Sequence, residues 1–176
     1  MAADVRLRDE AEPTIFDHIG YWVTLVSVYF LVGVLFFYSG KSKLFDGHGT
    51  PPAIEKQFEG TFVATFPGVD ALWAILSVLE FAIAVLLAIS LVTGEFLPHR
   101  RKTVLLVGLA LALFTFACLS FGQTITGNTE GTASLYEYFG ATGIIVLLVL
   151  LLPPHGQRAW LSSRFSGPVT PGSGPV

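Results

Sequence analysis

Hydrophobic residues gather along this chain in four long runs, at 19–40, 71–92, 103–121 and 135–152, with polar and turn-forming residues between them. Each run is near the length of about 20 residues that an α-helix needs to cross a hydrocarbon layer of about 30 Å. The pattern predicts an all-α integral membrane protein, a four-transmembrane-helix bundle over 19–152. An acidic segment at 1–18 precedes it and a Gly/Pro-rich tail at 153–176 follows it. The first run reads as a retained span and not as a cleaved signal peptide. Its leader is acidic (Asp4, Asp9, Glu10, Glu12, Asp17), and Tyr38-Ser39-Gly40 makes a poor cleavage site.

The longest connection, 41–70, carries a pattern of its own. Ile54, Phe58 and Phe62 recur at i, i+4 and i+8 with Glu55, Lys56 and Glu59 beside them, Pro51-Pro52 ahead and Pro67-Gly68 behind. That spacing puts three apolar side chains on one face and predicts a short amphipathic helix in the first extracytoplasmic loop, lying at the membrane surface.

Composition agrees with a membrane solvent: 52% of residues are apolar and 13% charged, with a mean hydropathy of +0.66, whereas soluble domains carry about 25% charged residues. The formal charge of −3 supplies no basic field for nucleic acid. Lys and Arg set the orientation. With both termini cytoplasmic, the inner side holds Arg6, Arg8, Arg100, Arg101, Lys102, Arg158 and Arg164, and the outer side only Lys41, Lys43 and Lys56. Tyr21, Trp22, Tyr38, Trp73, Tyr136 and Tyr138 fall where headgroup-level anchors belong.

Glu80, near the middle of the second run, is the residue most in need of a task, since an acid there costs about 2.5–3.5 kcal/mol on insertion scales. Ser77, Ala84 and Ala88 share its helix face, a small and polar stripe that looks toward other helices. Glu80 is either a proton-carrying or ligand-contacting carboxylate or a buried acid neutralised by a neighbour. The lack of a relay of partners in the spans favours the second. Lys43 and Lys41, just past the end of the first run, are the leading partners because a lysine stem reaches several ångströms. Thr115 and Cys118 are neutral alternatives, continuing a stripe of small residues with Gly108 and Ala112.

Cys118 stands alone, which excludes an internal disulfide, a Cys-x-x-Cys pair and a Cys-rich zinc site. It reads as a small buried hydrophobe. His18, His48, His99 and His155 all lie at or beyond the ends of the runs, whereas haem held between helices needs imidazoles inside them. Asp46-x-His48 offers two ligands in a Gly-rich loop and reads as polar loop chemistry, so no metal and no cofactor is expected. Gly140 and Gly143, with Tyr136 on the Gly140 face, predict close helix packing in the fourth span.

At Ser39-Gly40-Lys41-Ser42-Lys43-Leu44-Phe45-Asp46 the chain resembles the DoxX-like superfamily of small bacterial four-helix membrane proteins. Members end the first helix in a small-Gly-x-x-Lys-Leu pattern, matched by Ser39, Gly40, Lys43 and Leu44. Their second helix carries an acid followed by small and aliphatic residues, matched by Leu79-Glu80-Phe81-Ala82-Ile83. Segments 54–70 and 114–122 are similar to the branch associated with reactive-chlorine resistance. The resemblance, from Tyr21 to Pro153, implies a four-helix fold in a bacterial membrane. What it implies for function is mixed: some relatives are subunits of a membrane thiosulfate:quinone oxidoreductase, others join oxidative-stress assemblies, and many have no assigned activity.

This chain carries no flavin, haem or iron–sulfur ligand set and no second thiol. The expected function is therefore that of a non-catalytic accessory or stabilising subunit of a larger envelope membrane complex, such as a lipid transporter or a respiratory assembly. Ile54, Phe58 and Phe62, and the small-residue faces at Gly108, Ala112, Gly140 and Gly143, are the surfaces expected to meet membrane lipid or a partner subunit. The alternatives are a quinone-linked redox subunit and a small proton-coupled carrier using Glu80.

Overall fold

The computed structural model describes residues 15–45 and 49–152, with the backbone alone for 15–18. The acidic segment 1–14, Asp46, His48, His155 and the tail from 153 lie outside the described residues, as does the side chain of His18. The first span joins α1 (Ile15–Val28), a π-helical turn (Tyr29–Gly33) and α2 (Val34–Phe45) in one continuous helix. Two short helices follow, α3 (Pro52–Phe58) and α4 (Phe62–Thr65), and then three long ones, α5 (Val69–Val92), α6 (Thr103–Ile125) and α7 (Thr129–Leu151). Four stretches are long and apolar enough to cross a membrane: Ile19–Phe45, Val69–Val92, Thr103–Ile125 and Thr129–Leu151. The chain is a multi-pass membrane protein with an all-helical, four-helix architecture.

Span ends depart from the apolar runs for physical reasons. The first helix continues through Phe45, because Lys41, Ser42 and Lys43 interrupt the hydrophobicity without interrupting helical backbone. Lys43 is thus a residue of the span and not of the loop beyond it. The fourth helix begins at Thr129, ahead of Leu135, because the Asn128 side chain caps it, accepting the Gly131 N–H at 3.0 Å. Glu130 in the first turn suits the positive end of the helix dipole.

α5 is the centre of the bundle, with α2 packed on one side and α6 on the other, and α7 rests on α6. The core is built from Leu25, Val28, Val32 and Phe36 of the first span, Ile83 and Leu87 of α5, and Leu105, Leu109, Ala112 and Phe116 of α6. The π turn keeps the first span's contribution in phase. From Val28 to Gly40 is twelve steps. At about 100° per residue an unbroken α-helix would carry Gly40 about 120° off the face of Val28. One residue absorbed in the wider turn brings Val28, Val32, Phe36 and Gly40 to the same buried side.

α7 differs from the others: only Thr142 and Val149 are buried. A Cβ built at Gly140 or Gly143 meets nothing within 4 Å, so the close packing expected at these glycines is not made by the described residues. Tyr136 is exposed too. Gly108 and Ala112, by contrast, are buried inside the chain's own bundle, where a Cβ at Gly108 would meet Leu87 at 2.7 Å.

On the side where α2 ends, α5 runs on past it. Phe45 lies about 7 Å of helix rise beyond Gly40, and Val69 about 16 Å beyond Glu80. α3 fills the step against α5, with α4 packed beside it. The amphipathic helix is shorter than its periodicity predicts, because α3 stops at Phe58 and Gly60 adopts φ +78° before α4 starts. Phe62 therefore opens a second helix and is 66% exposed, while Ile54 and Phe58 are half-buried. Phe58 lies over Gly122 of α6, and Gln57 Nε2 donates to Gln123 Oε1 at 2.6 Å and to Thr126 Oγ1 at 3.0 Å. Beneath α3 and α4 lies an apolar groove of about 640 Å³ between α5 and α6.

Candidate functional site

Gly40 makes the site possible. A Cβ there would stand 2.7 Å from the Phe81 backbone nitrogen and 2.9 Å from its Cα, so α2 and α5 touch backbone to backbone at this level. The contact brings Ser39 and Lys43, one turn apart on α2, against Glu80, which is 3% exposed midway along α5. Lys43 Nζ donates to both carboxylate oxygens at 2.6 Å, and Ser39 Oγ donates to Oε2 at 2.7 Å. The ammonium also sits 4.9 Å from the centre of the Trp73 ring, an attraction that strengthens as water is excluded. Both carboxylate oxygens are occupied and the charge is balanced in place. The paired charges and the added hydrogen bond offset the several kcal/mol that each ion loses on leaving water.

The chain matches no model of a known protein family, no curated protein and no solved structure.

The other polar residues singled out in the sequence do not join the clasp. Ser77 is buried but donates to the Trp73 carbonyl of its own helix, and Thr115 donates to the Leu111 carbonyl of its own. Ala88 is exposed. Cys118 is exposed and lines the apolar groove, which corrects the expectation of a buried thiol. It stands one turn from Thr115, rotated far enough to leave the bundle interior. Lys41 is exposed on α2. Among the described residues no group of three or more His, Cys, Asp or Glu side chains could hold a metal ion.

A second polar cluster, at the opposite end of the bundle, was not anticipated. Glu95, in the α5–α6 turn, is buried and accepts from the backbone N–H of Val104 at 2.9 Å and of Leu105 at 2.8 Å. It thus caps the start of α6 with a negative charge, where the helix dipole favours one. Ser90 Oγ donates to Glu95 at 2.8 Å and is itself hydrogen-bonded to the Tyr29 hydroxyl at 2.7 Å. Lys102, 1% exposed, places its ammonium 5.3 Å from the Tyr21 ring centre, while the Tyr21 hydroxyl donates to the Phe96 carbonyl. Burial pushes the Lys102 ammonium pKa down, and the charge of Glu95 pulls it back up. Sequence offered little sign of this arrangement, because the acceptor of the α6 amides comes from well ahead of the helix and not from its N-cap position.

Among the described residues, an apolar layer separates the two clusters. Ser90 and Glu80 are separated by about 15 Å of helix rise. Val32, Phe36, Ile83 and Leu87 occupy the layer between. Each cluster joins helices at its own level: Glu80 ties α2 to α5, and Glu95 ties α5 to α6.

Proposed function

We propose that this chain is a non-catalytic accessory subunit that stabilises a larger envelope membrane complex. The observation that carries the reading is the face of α7. At two levels of the bundle a neighbouring helix presses close on a glycine: Gly40 meets Phe81 and Gly108 meets Leu87. Gly140 and Gly143, three residues apart on α7, face open space, as Gly20 does in the first span. Outward small residues let a second protein's helix approach closely, the packing that holds membrane helices together where lipid is as apolar as they are. The ion-pair clasp supports the same reading. With its oxygens satisfied and an apolar layer beside it, Glu80 is suited to fixing helices and not to passing protons. The residues that carry the family resemblance, Ser39, Gly40, Lys43 and Glu80, are those of the clasp.

The reading places the protein in a bacterial cytoplasmic membrane with both termini inside, from the distribution of Lys and Arg. In a Cys118→Ser background, a membrane-impermeant thiol reagent should label Gly127→Cys from outside and miss Pro171→Cys. Purification from native membranes in a gentle detergent should yield a particle far larger than one 19.0 kDa chain, with a partner protein identified by mass spectrometry. Gly140→Leu with Gly143→Leu should release that partner and leave the melting temperature of the isolated chain unchanged. A chain that purifies as a monomer and works alone in liposomes, as a carrier or a quinone reductase, would overturn the proposal.

A further inference from the structure

The apolar groove meets the clasp only at Trp73, whose ring lines the groove and lies 4.9 Å from the Lys43 ammonium. Its α5 wall runs from Val69 to Leu79 and its α6 wall from Phe114 to Ile125, each about 15 Å of helix rise. That is half of a hydrocarbon layer about 30 Å thick. The groove therefore starts at the membrane surface carrying α3 and α4 and ends near the midplane, the depth range of the hydrocarbon chains of one leaflet. Its volume of about 640 Å³ falls within the range of sites that hold a small molecule. Ile54 and Phe58 form its roof, and the Gln57 bonds to Gln123 and Thr126 hold that roof to α6.

Charge at the same surface selects the headgroup. Among the described residues on this face, exposed Glu55, Glu59, Asp70 and Glu130 outnumber exposed Lys41 and Lys56, and Lys43 is neutralised by Glu80. An anionic headgroup is repelled there, whereas one that carries a cation beside its phosphate finds carboxylates to meet it. We infer that the groove binds one acyl chain of a zwitterionic lipid drawn from the leaflet on the α3–α4 side.

Trp73 lines the groove and reports on it. The full-length protein carrying Trp22→Phe and Trp160→Phe is placed in vesicles doped with dibrominated phosphatidylcholine or dibrominated phosphatidylglycerol. Bromine in contact with the indole quenches its fluorescence. Phosphatidylcholine should quench at lower mole fraction, with an apparent preference of about fivefold over phosphatidylglycerol. Cys118→Phe and, separately, Leu79→Phe fill the groove from opposite walls, and each should abolish that preference. Should one filled variant fail to fold, the other carries the comparison. Equal quenching by both lipids in the unfilled protein means ordinary lipid contact and overturns the inference, whatever the variants do. Absence of quenching in a folded protein means that protein covers the groove, and overturns it as well.

Discussion

Replacing Gly40 by alanine separates the helix contact from the ion pair that it supports. The new Cβ would lie 2.7 Å from the Phe81 nitrogen, and ordinary contact begins at 3.4 Å, so α2 must withdraw by about 0.7 Å. The obstacle is backbone, and no rotamer change relieves it. Lys43 can follow the movement on its four-carbon stem. Ser39 cannot: its bond to Glu80 is 2.7 Å, and at about 3.4 Å it is stretched beyond the roughly 2.5–3.0 Å of an O–H···O bond and most of its strength is lost. Overpacking of this size costs about 1–3 kcal/mol, and a lost bond to a charged group about 1.5–3 kcal/mol. One displacement causes both, so the expected total is about 2–4 kcal/mol. Equilibrium unfolding in mixed micelles, followed by tryptophan fluorescence, measures it. Ser39→Ala should cost its full amount alone but less than about 0.5 kcal/mol when added to Gly40→Ala, because most of the bond is already lost. A Gly40→Ala protein as stable as the parent, or full additivity of the two changes, would refute the reasoning.

Three further outcomes follow from the two polar clusters. In the same unfolding assay Glu80→Gln, which keeps acceptor and shape, should be milder than Glu80→Leu, which strands the Lys43 ammonium at about 3–5 kcal/mol; combining Glu80→Leu with Lys43→Met should restore most of the loss. Glu95→Ala leaves the Val104 and Leu105 amides without their acceptor, so it should cost about 1–3 kcal/mol and speed hydrogen exchange at those two amides above all others in α6. Lys102 has a folded pKa below its ordinary 10.5, so at pH values between the two the unfolded chain holds a proton that the folded chain has released. Stability should therefore rise with pH toward 10.5 and level off above it, and Lys102→Met should remove that slope.

The spans were legible because an apolar run long enough to cross a bilayer has few other uses, and Glu80 was legible because a charge in such a run needs a reason. Its partner was legible as well, since few cations lie within reach of that depth. Helix ends were less so. Hydropathy registers the medium around a helix, whereas Asn128 and the Lys41 to Phe45 turn set where the backbone hydrogen bonds begin and stop. The break between α3 and α4 was hidden because Ile54, Phe58 and Phe62 keep a helical spacing through it, and one left-handed glycine outweighs that periodicity. The outward placement of Cys118 and of the α7 glycines depends on which side of a helix finds a neighbour. Spacing within a single helix carries no information on that.

The π turn at Tyr29–Gly33 makes the first span sensitive to length in a way that its even hydrophobicity conceals. It holds one residue more than a regular helix would place there. Deleting a residue such as Leu31 leaves a helix that is still apolar, still long enough to cross the bilayer and more regular than before. At about 100° per residue the shortened helix makes about five whole turns between Tyr21 and Gly40, so Ser39, Gly40 and Lys43 still face α5. A residue added at the same place, or removed elsewhere in the span while the wide turn persists, instead rotates everything beyond it by about 100° and carries Ser39, Gly40 and Lys43 away from Glu80. The span therefore tolerates a change of length in one direction at one place: related sequences that keep both clusters should align through residues 21–43 with no gap except a single deletion within 29–33.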